Sequence, residues 1–195
     1  MTEGRFRIDW ATPHGAFLAL EPTLQEVEVH APALAAAWND PHNASLMGHV
    51  DPFDAEDVVA HYGAMQFDGA RTFLLFHEGQ LAGDADFRGR SHDSAEFAFM
   101  VAAKQSQGKG LGTRFALMLH AFAFSNWGLM HSYASIDPVN TASKRVFEKL
   151  GFLLDASAAA RAFADEEKDL VMSIDRSTFA RLHSAVLAEI HCSLR

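Results

Sequence analysis

Glu96 opens a short alternating segment, Glu96–Val101, which runs through a polar bend into Gln107-Gly108-Lys109-Gly110-Leu111-Gly112-Thr113. A long apolar helix, expected over Leu111–Asn126, follows at once. A strand, glycines and a helix N-terminus in that order form a site for phosphate oxygens. The first-turn N–H groups have no intrahelical partner, and that end of the helix dipole is positive. The glycines let the backbone approach a ligand with no Cβ in the way. Strand alternation puts Glu96, Ala98 and Met100 on one face and Phe97, Phe99 and Val101 on the other. A carboxylate held between apolar neighbours has a raised pKa, which suits it to take a proton directly or through water. The same glutamate could equally be structural, bonding a neighbouring strand or helix end.

Spelling excludes two familiar phosphate loops. The Walker pattern Gly-x-x-x-x-Gly-Lys-Ser/Thr does not occur, and the glycines at 108, 110 and 112 fall mid-chain, not near the first strand of a dinucleotide-binding unit. A second segment, Asn140-Thr141-Ala142-Ser143-Lys144-Arg145-Val146-Phe147-Glu148-Lys149-Leu150-Gly151-Phe152, starts 30 residues beyond Gly110 and follows an expected strand, His131–Ile136. Asp137-Pro138 ends that strand, Asn140 caps a helix ending at Leu150, and Gly151 is its left-handed stop.

The spelling Gln-x-x-Gly-x-Gly, followed by Asn, a helix and Lys-Leu-Gly-Phe, resembles the GNAT superfamily of acyl-CoA-dependent N-acetyltransferases. The subgroup closest in spelling is that of the ribosomal-protein N-terminal acetyltransferases. The resemblance spans about residues 17–175. It implies an α/β (α+β) fold with a mixed, mostly antiparallel central sheet flanked by helices and splayed where acyl-CoA enters. It further implies that acetyl-CoA is the acyl donor and that an amine-bearing small molecule or peptide is the acceptor. Attack would be direct, in a ternary complex, with no metal. By the same resemblance, the main chain at Met100, Val101 and Ala102 pairs with the pantetheine arm. Gln107 leads the loop, and the amides of Gly108, Lys109, Gly110, Leu111, Gly112 and Thr113 hold the pyrophosphate. Asn140 reaches the pantetheine or orders the thiol end.

The resemblance also bears on the chemistry. Several family members carry a catalytic glutamate at the place of Glu96, eleven residues before Gln107. The family often has a tyrosine seven residues after the asparagine as general acid, but here Phe147 stands there and has no proton to give. Ser143 matches the serine of the N-terminal acetyltransferase subgroup, and Tyr133, on the preceding strand, is the alternative acid. Phe147 also leaves open a domain that binds or senses acyl-CoA without catalysis.

Composition narrows the classes. The chain has 195 residues, 49% of them hydrophobic, with 16 Phe, which suits one well-packed domain. A net charge of -9 argues against nucleic acid as partner and agrees with a cationic acceptor. No run reaches the ~20 apolar residues of a membrane span, no secretory leader pattern is present, and no membrane partner is expected. The single cysteine, Cys192, fits a cytoplasmic location. The 11 histidines are scattered, without a His-x-x-x-His pair, and read as surface or packing residues.

Along the chain, Met1–His14 reads as a loose entry and Phe17–Glu21 as the first strand, with Leu24–Val29 open between strand and helix. Helices are expected over Ala33–Trp38, stopped by Asn39-Asp40-Pro41, and over Ala55–Gln66, capped by Asp54. Strands follow at Arg71–His77, Leu81–Phe87 and Ala95–Val101, and later at Phe152–Asp155 and Asp169–Ile174. Residues 1–175 form the GNAT domain and 176–195 a C-terminal amphipathic helix, expected over Ser177–Leu194. Its stripe of Phe179, Leu182, Val186, Ile190 and Leu194 packs on its own domain or pairs two chains in a homodimer.

Overall fold

The structure, a computed structural model, describes residues 4–47, 51–102 and 110–195. Phe6, Ile8 and Trp10 are buried and alternate with the polar Arg7 and Asp9, the signature of a half-buried strand. This is β1 (Phe6–Thr12), which turns into its hairpin partner β2 (Gly15–Leu20). The loose entry expected over Met1–His14 is therefore a strand from Phe6 onward, and Phe17 lies in the second strand.

A Thr23–Glu26 capping box starts α1 (Leu24–Trp38). Val27, Ala31, Leu34, Ala35 and Trp38 form its buried stripe, so the undecided Leu24–Val29 belongs to one helix with Ala33–Trp38. Pro32 is accommodated inside that helix because it faces solvent, where water can satisfy the carbonyl it frees. Asn39-Asp40-Pro41 is a corner, since Asp40 accepts the His42 amide at 3.0 Å and a short helix, α2 (Pro41–Met47), follows. Asn39 then clasps Phe53 in both directions, at 2.7 and 2.9 Å. Asp54 and Asp57 form the capping box of α3 (Ala55–Phe67).

Three strands follow as an antiparallel meander, β3 (Arg71–His77), β4 (Gln80–Arg88) and β5 (Ser94–Val101). The rest of the chain is α4 (Leu111–Ser125), β6 (His131–Ile136), α5 (Thr141–Leu150), β7 (Leu153–Leu154), the single turn α6 (Ala158–Arg161), β8 (Leu170–Asp175), α7 (Arg176–Leu187) and β9 (His191–Leu194). One sheet takes the order β7-β8-β6-β5-β4-β3-β2-β1-β9, and β5 with β6 is its parallel pair.

Two cores flank the sheet. On one face α4 buries Phe115, Met118, Leu119 and Phe122 against Ile8, Phe17, Phe73, Phe87 and Phe97. At its centre His120 has no solvent access; its Nδ1 lies 2.7 Å from the Ala116 carbonyl and its Nε2 2.9 Å from the Ser132 hydroxyl. A carbonyl only accepts, so Nδ1 carries the proton and Nε2 accepts from Ser132. Burial pushes the His120 pKa down to about 4, and the ring stays neutral. On the other face α1 and α3 bury Val27, Leu34, Trp38, Val58 and Tyr62 over Leu74 and Phe76, with Met100 at the margin.

The tail departs from expectation. Its helix ends at Leu187, and His191–Leu194 pair antiparallel with Phe6–Asp9, extending the sheet beyond β1. Phe179 and Ile190 are buried in the chain's own core, while Leu182 and Leu194 stay exposed. Phe6–Trp10 needs a second strand to pair its backbone, and the tail supplies it; Arg195 adds an ion pair with Glu26. Deleting residues 191–195 removes this ladder. It should destabilise by about 2 kcal/mol and lower Tm by roughly 4–8 °C. Thermal denaturation of the two chains checks the shift, and light scattering on the same samples reads whether the tail contributes to pairing of chains.

Candidate functional site

The site begins where β5 and β6 part. Their parallel pairing is confined to Ser94↔His131, Ala95↔Ser132 and Glu96↔Tyr133, although β5 continues to Val101 and β6 to Ile136. Beyond Glu96 and Tyr133 the sheet forks. Each diverging strand keeps its outer neighbour, β5 on β4 as far as Gly83↔Val101 and β6 on β8 as far as Ile136↔Leu170. The splay expected at this point is present.

The N-terminus of α4 stands beside the upper end of β5. Gly110 is its cap, in the left-handed region at φ 76°, and gives the first turn no side-chain hydrogen bond. The amides of Leu111, Gly112 and Thr113 are thus the positive end of a 15-residue helix. Gln107, Gly108 and Lys109, the first part of the expected phosphate loop, lie outside the described residues. Gly112 serves packing: a Cβ there would come 2.9 Å from Phe99 Cε2 and 3.6 Å from Val101 Cγ2. It lets the helix lie against β5.

The strand edge also needs one correction. The Ala102 amide donates to the Ala82 carbonyl at 2.8 Å, so it belongs to the β4 ladder and is not available to a pantetheine arm. By alternation the Met100 main chain faces β4 as well, while Phe99 and Val101 turn theirs toward the side that β6 has left. Gly83 is essential opposite this edge. Its φ is 153°, and a Cβ would run into the Met100 carbonyl.

At the fork Glu96 is buried, but its neighbours are not simply apolar as expected. Both its oxygens accept from Arg88, each at 3.1 Å, and Arg88 also reaches Asp165 at 3.1 Å. Burial raises the Glu96 pKa, and the guanidinium opposes that rise. Tyr133 lies alongside, its ring stacked on Phe163 at 4.5 Å. Burial, then Asp155 and Asp93, raise its pKa and keep the phenol protonated.

Asn140 caps α5, its Oδ1 accepting the Ser143 amide at 3.0 Å, so the side-chain group left to meet a ligand is its amide nitrogen. Ser143 is half-buried in the first turn of α5. Phe147 is buried one turn further on, with ring centroids 5.9 Å from Phe99, 6.2 Å from Phe97 and 5.0 Å from Phe152. Where a tyrosine would offer a proton, this chain has a wall of phenyl rings.

The structure also brings in residues that the sequence reading does not single out. Asp84 and Asp86 on β4 share the face of Glu96 and Met100, with Asp84 opposite Met100 and Asp86 opposite Ala98. The Tyr62 hydroxyl donates to Asp84 at 3.3 Å, and Trp38 adjoins the same carboxyl. Burial pushes both aspartates up to about 7. Their signal is present in Asp84-Ala85-Asp86-Phe87-Arg88: ionic side chains at every second position of a strand put charge on one face. No group of three or more His, Cys, Asp or Glu that could hold a metal ion occurs among the described residues.

The family profile for an acetyltransferase (GNAT) domain matches residues 20–153. Among solved structures, the chain is similar to Mycobacterium smegmatis RimJ in complex with CoA-disulfide, at 17% identity and a TM-score of 0.73, over 95% of this chain and 96% of that one. It is also similar to the aminoglycoside acetyltransferase AAC(6')-Ib in complex with coenzyme A, at 18% identity and a TM-score of 0.70, over 85% and 98%. An uncharacterized Bacillus halodurans protein matches at 13% identity and a TM-score of 0.74, over 93% and 96%. At such identities the likeness is one of fold.

The packing duty of Gly112 is testable. Gly112→Ala should cost about 1–3 kcal/mol, as overpacking does, and lower acetyl-CoA affinity by tilting the helix end. Phe99→Leu in the same chain should return part of both, read by thermal melts and calorimetric titration. No recovery would mean that the glycine is there for the ligand and not for Phe99.

Proposed function

The chain belongs to the GNAT acetyltransferase family and is an acyltransferase using acetyl-CoA, and from that premise we propose that it acetylates a primary amine by direct attack in a ternary complex. The observation that carries this reading is the fork. A thioester arm lying along the β5 edge would have its phosphates at the α4 N-terminus and its acyl carbon beside Glu96, Tyr133 and the α5 N-terminus.

In this proposal the acceptor amine comes from the face covered by α1 and α3. Glu96 removes the amine proton through a water molecule, because Arg88 already engages both its oxygens. The neutral amine attacks the acyl carbon, the C–S bond breaks, and the CoA thiolate takes a proton from Ser143 or Tyr133. Phe147 and its neighbouring rings exclude water from that side and disfavour hydrolysis of the thioester. The fold likeness to an aminoglycoside acetyltransferase supports a small-molecule amine as acceptor, and the Asn140-x-x-Ser143 spelling keeps a protein N-terminus open beside it. No helix among the described residues is long and apolar enough to cross a membrane; a cytoplasmic setting, where acetyl-CoA is made, fits the reading.

Incubating the protein with acetyl-CoA and a panel of amines and peptides, with thiol release and product mass as readouts, tests the activity. Thiol release without an acetylated product would overturn the amine-transfer reading. Glu96→Gln should lower kcat by on the order of a hundredfold or more with acetyl-CoA affinity unchanged. Raising pH should restore part of the rate, since solvent then deprotonates the amine. Ser143→Ala and Tyr133→Phe, compared in the same assay, identify the acid by the larger loss.

A further inference from the structure

Resting on the transfer reading above, we propose that Arg88 is a positioning residue for the reaction: it keeps Glu96 ionised and fixes the plane of its carboxylate at the base of the fork. The two residues stand directly opposite each other on β4 and β5. The Arg88 Nε donates to one Glu96 oxygen and its Nη2 to the other, each at 3.1 Å. Two parallel bonds from a planar group hold the carboxylate against rotation, which a single ammonium cannot do. A carboxylate oxygen can accept about two hydrogen bonds, so the clasp leaves acceptor capacity for the water that carries the amine proton.

A second observation places the same guanidinium between the two prongs of the fork. Nη2 also donates to Asp165 at 3.1 Å, and the Asp165 amide donates to the Ser135 hydroxyl oxygen at 2.9 Å. Ser135 in turn donates to Asp169 at 2.8 Å. It lies on β6 two residues beyond Tyr133, where β6 has already left β5. The series Glu96, Arg88, Asp165, Ser135 therefore crosses the parting strands at their base. Arg88 is anchored on both prongs, which keeps a long, partly exposed side chain in one place.

Charge gives the clasp its chemical meaning. Burial raises the Glu96 pKa, Arg88 opposes the rise through its hydrogen bonds and charge, and Asp165 adds to it. Asp86 on β4, pushed up to about 7 by burial, stands 3.8 Å from Arg88 and draws on the same cation. Tyr133 is opposite Glu96 on β6, and His61 faces Arg88 from α3. Of these groups Arg88 is the permanent cation. Only the ionised form of Glu96 can accept a proton, so removing the guanidinium should cost the reaction its base at neutral pH.

The test replaces Arg88 by Met, which removes the charge, and by Lys, which keeps it without the paired donors. Glu96 is followed by carbon-13 NMR of its labelled carboxyl in the CoA-loaded protein, the signal being assigned by its loss in Glu96→Gln. The titration midpoint should rise by about 1–3 pH units in Arg88→Met and by less in Arg88→Lys. An Asp86→Asn background removes the neighbour that itself titrates near 7, and the rise should remain. With the amine of the panel above that is acetylated fastest, kcat of Arg88→Met relative to the parent should climb roughly tenfold or more from about pH 6 to 9, as Glu96 regains its charge. A purely structural arginine would lower Tm but leave that ratio flat and the midpoint in place, and this result overturns the proposal. If Arg88→Met does not fold, Arg88→Lys and Arg88→Gln decide by the same two readings. Glu96→Gln separates the two failures. A lowered kcat there with a flat ratio in Arg88→Met keeps the base and sinks the role of the arginine. An unchanged kcat sinks the base reading itself, and the midpoint alone then decides whether Arg88 holds Glu96 ionised.

Discussion

Everything at this site depends on a parallel strand pair that ends early. Separating two central strands exposes a row of backbone donors and acceptors, which a buried sheet does not tolerate unless they are satisfied elsewhere. An outer neighbour leaves those inner groups at the fork unbonded, but it holds each strand in place. β5 is bonded to β4 up to the Ala102–Ala82 contact, and β6 is bonded to β8 up to Ile136↔Leu170. The gap between them can stay open because neither strand relies on the other beyond Glu96 and Tyr133. Gly83 is part of the same solution, since only a residue without Cβ lets β4 stay close to the Met100 carbonyl.

The two faces of the forked sheet carry opposite chemistry. Toward α4 and α5 the fork is lined by Phe97, Phe99 and Phe147, a dry wall that suits a thioester. Toward α1 and α3 it is lined by carboxyl groups. Strand alternation produces both at once, because Glu96, Ala98 and Met100 must face away from Phe97 and Phe99. The helix that covers the acidic face contributes a donor, the Tyr62 hydroxyl on Asp84. Arg88 then ties Glu96 to Asp165 in the loop before β8, bracing the segment whose Phe163 covers Tyr133.

Much of this is legible in the sequence, and the omissions have physical causes. The Asn140–Phe152 unit and the meander from Arg71 to Val101 can be read directly because caps, turns and periodicity are local signals. Phe6–Trp10 alternates visibly, but a single alternating run five residues long is weak without knowing that a strand from the far terminus lies beside it. The tail misleads for the matching reason. Phe179 to Leu194 keeps helical spacing throughout, yet pairing with β1 outweighs local propensity in its last four residues. Pro32 hides α1, because a proline on the solvent side of a helix is tolerated and the sequence does not say which side faces out.

The partner of Glu96 is invisible in the sequence for a deeper reason. Arg88 lies eight residues earlier, and only the antiparallel register of β4 and β5 sets the two opposite each other. The same register aligns Asp86 with Ala98 and Asp84 with Met100. One hairpin alignment therefore decides which carboxylate is clasped by the guanidinium at 3.1 Å and which stands further from it, Asp86 at 3.8 Å. Shifting β4 by one residue would turn Asp84, Asp86 and Arg88 into the phenyl core. Phe87, between Asp86 and Arg88, is what opposes that slip. It is fully buried, packed against Phe97 and His120, and its place inside holds its ionic neighbours outside. The acidic face is thus a consequence of core packing on the other side of the strand.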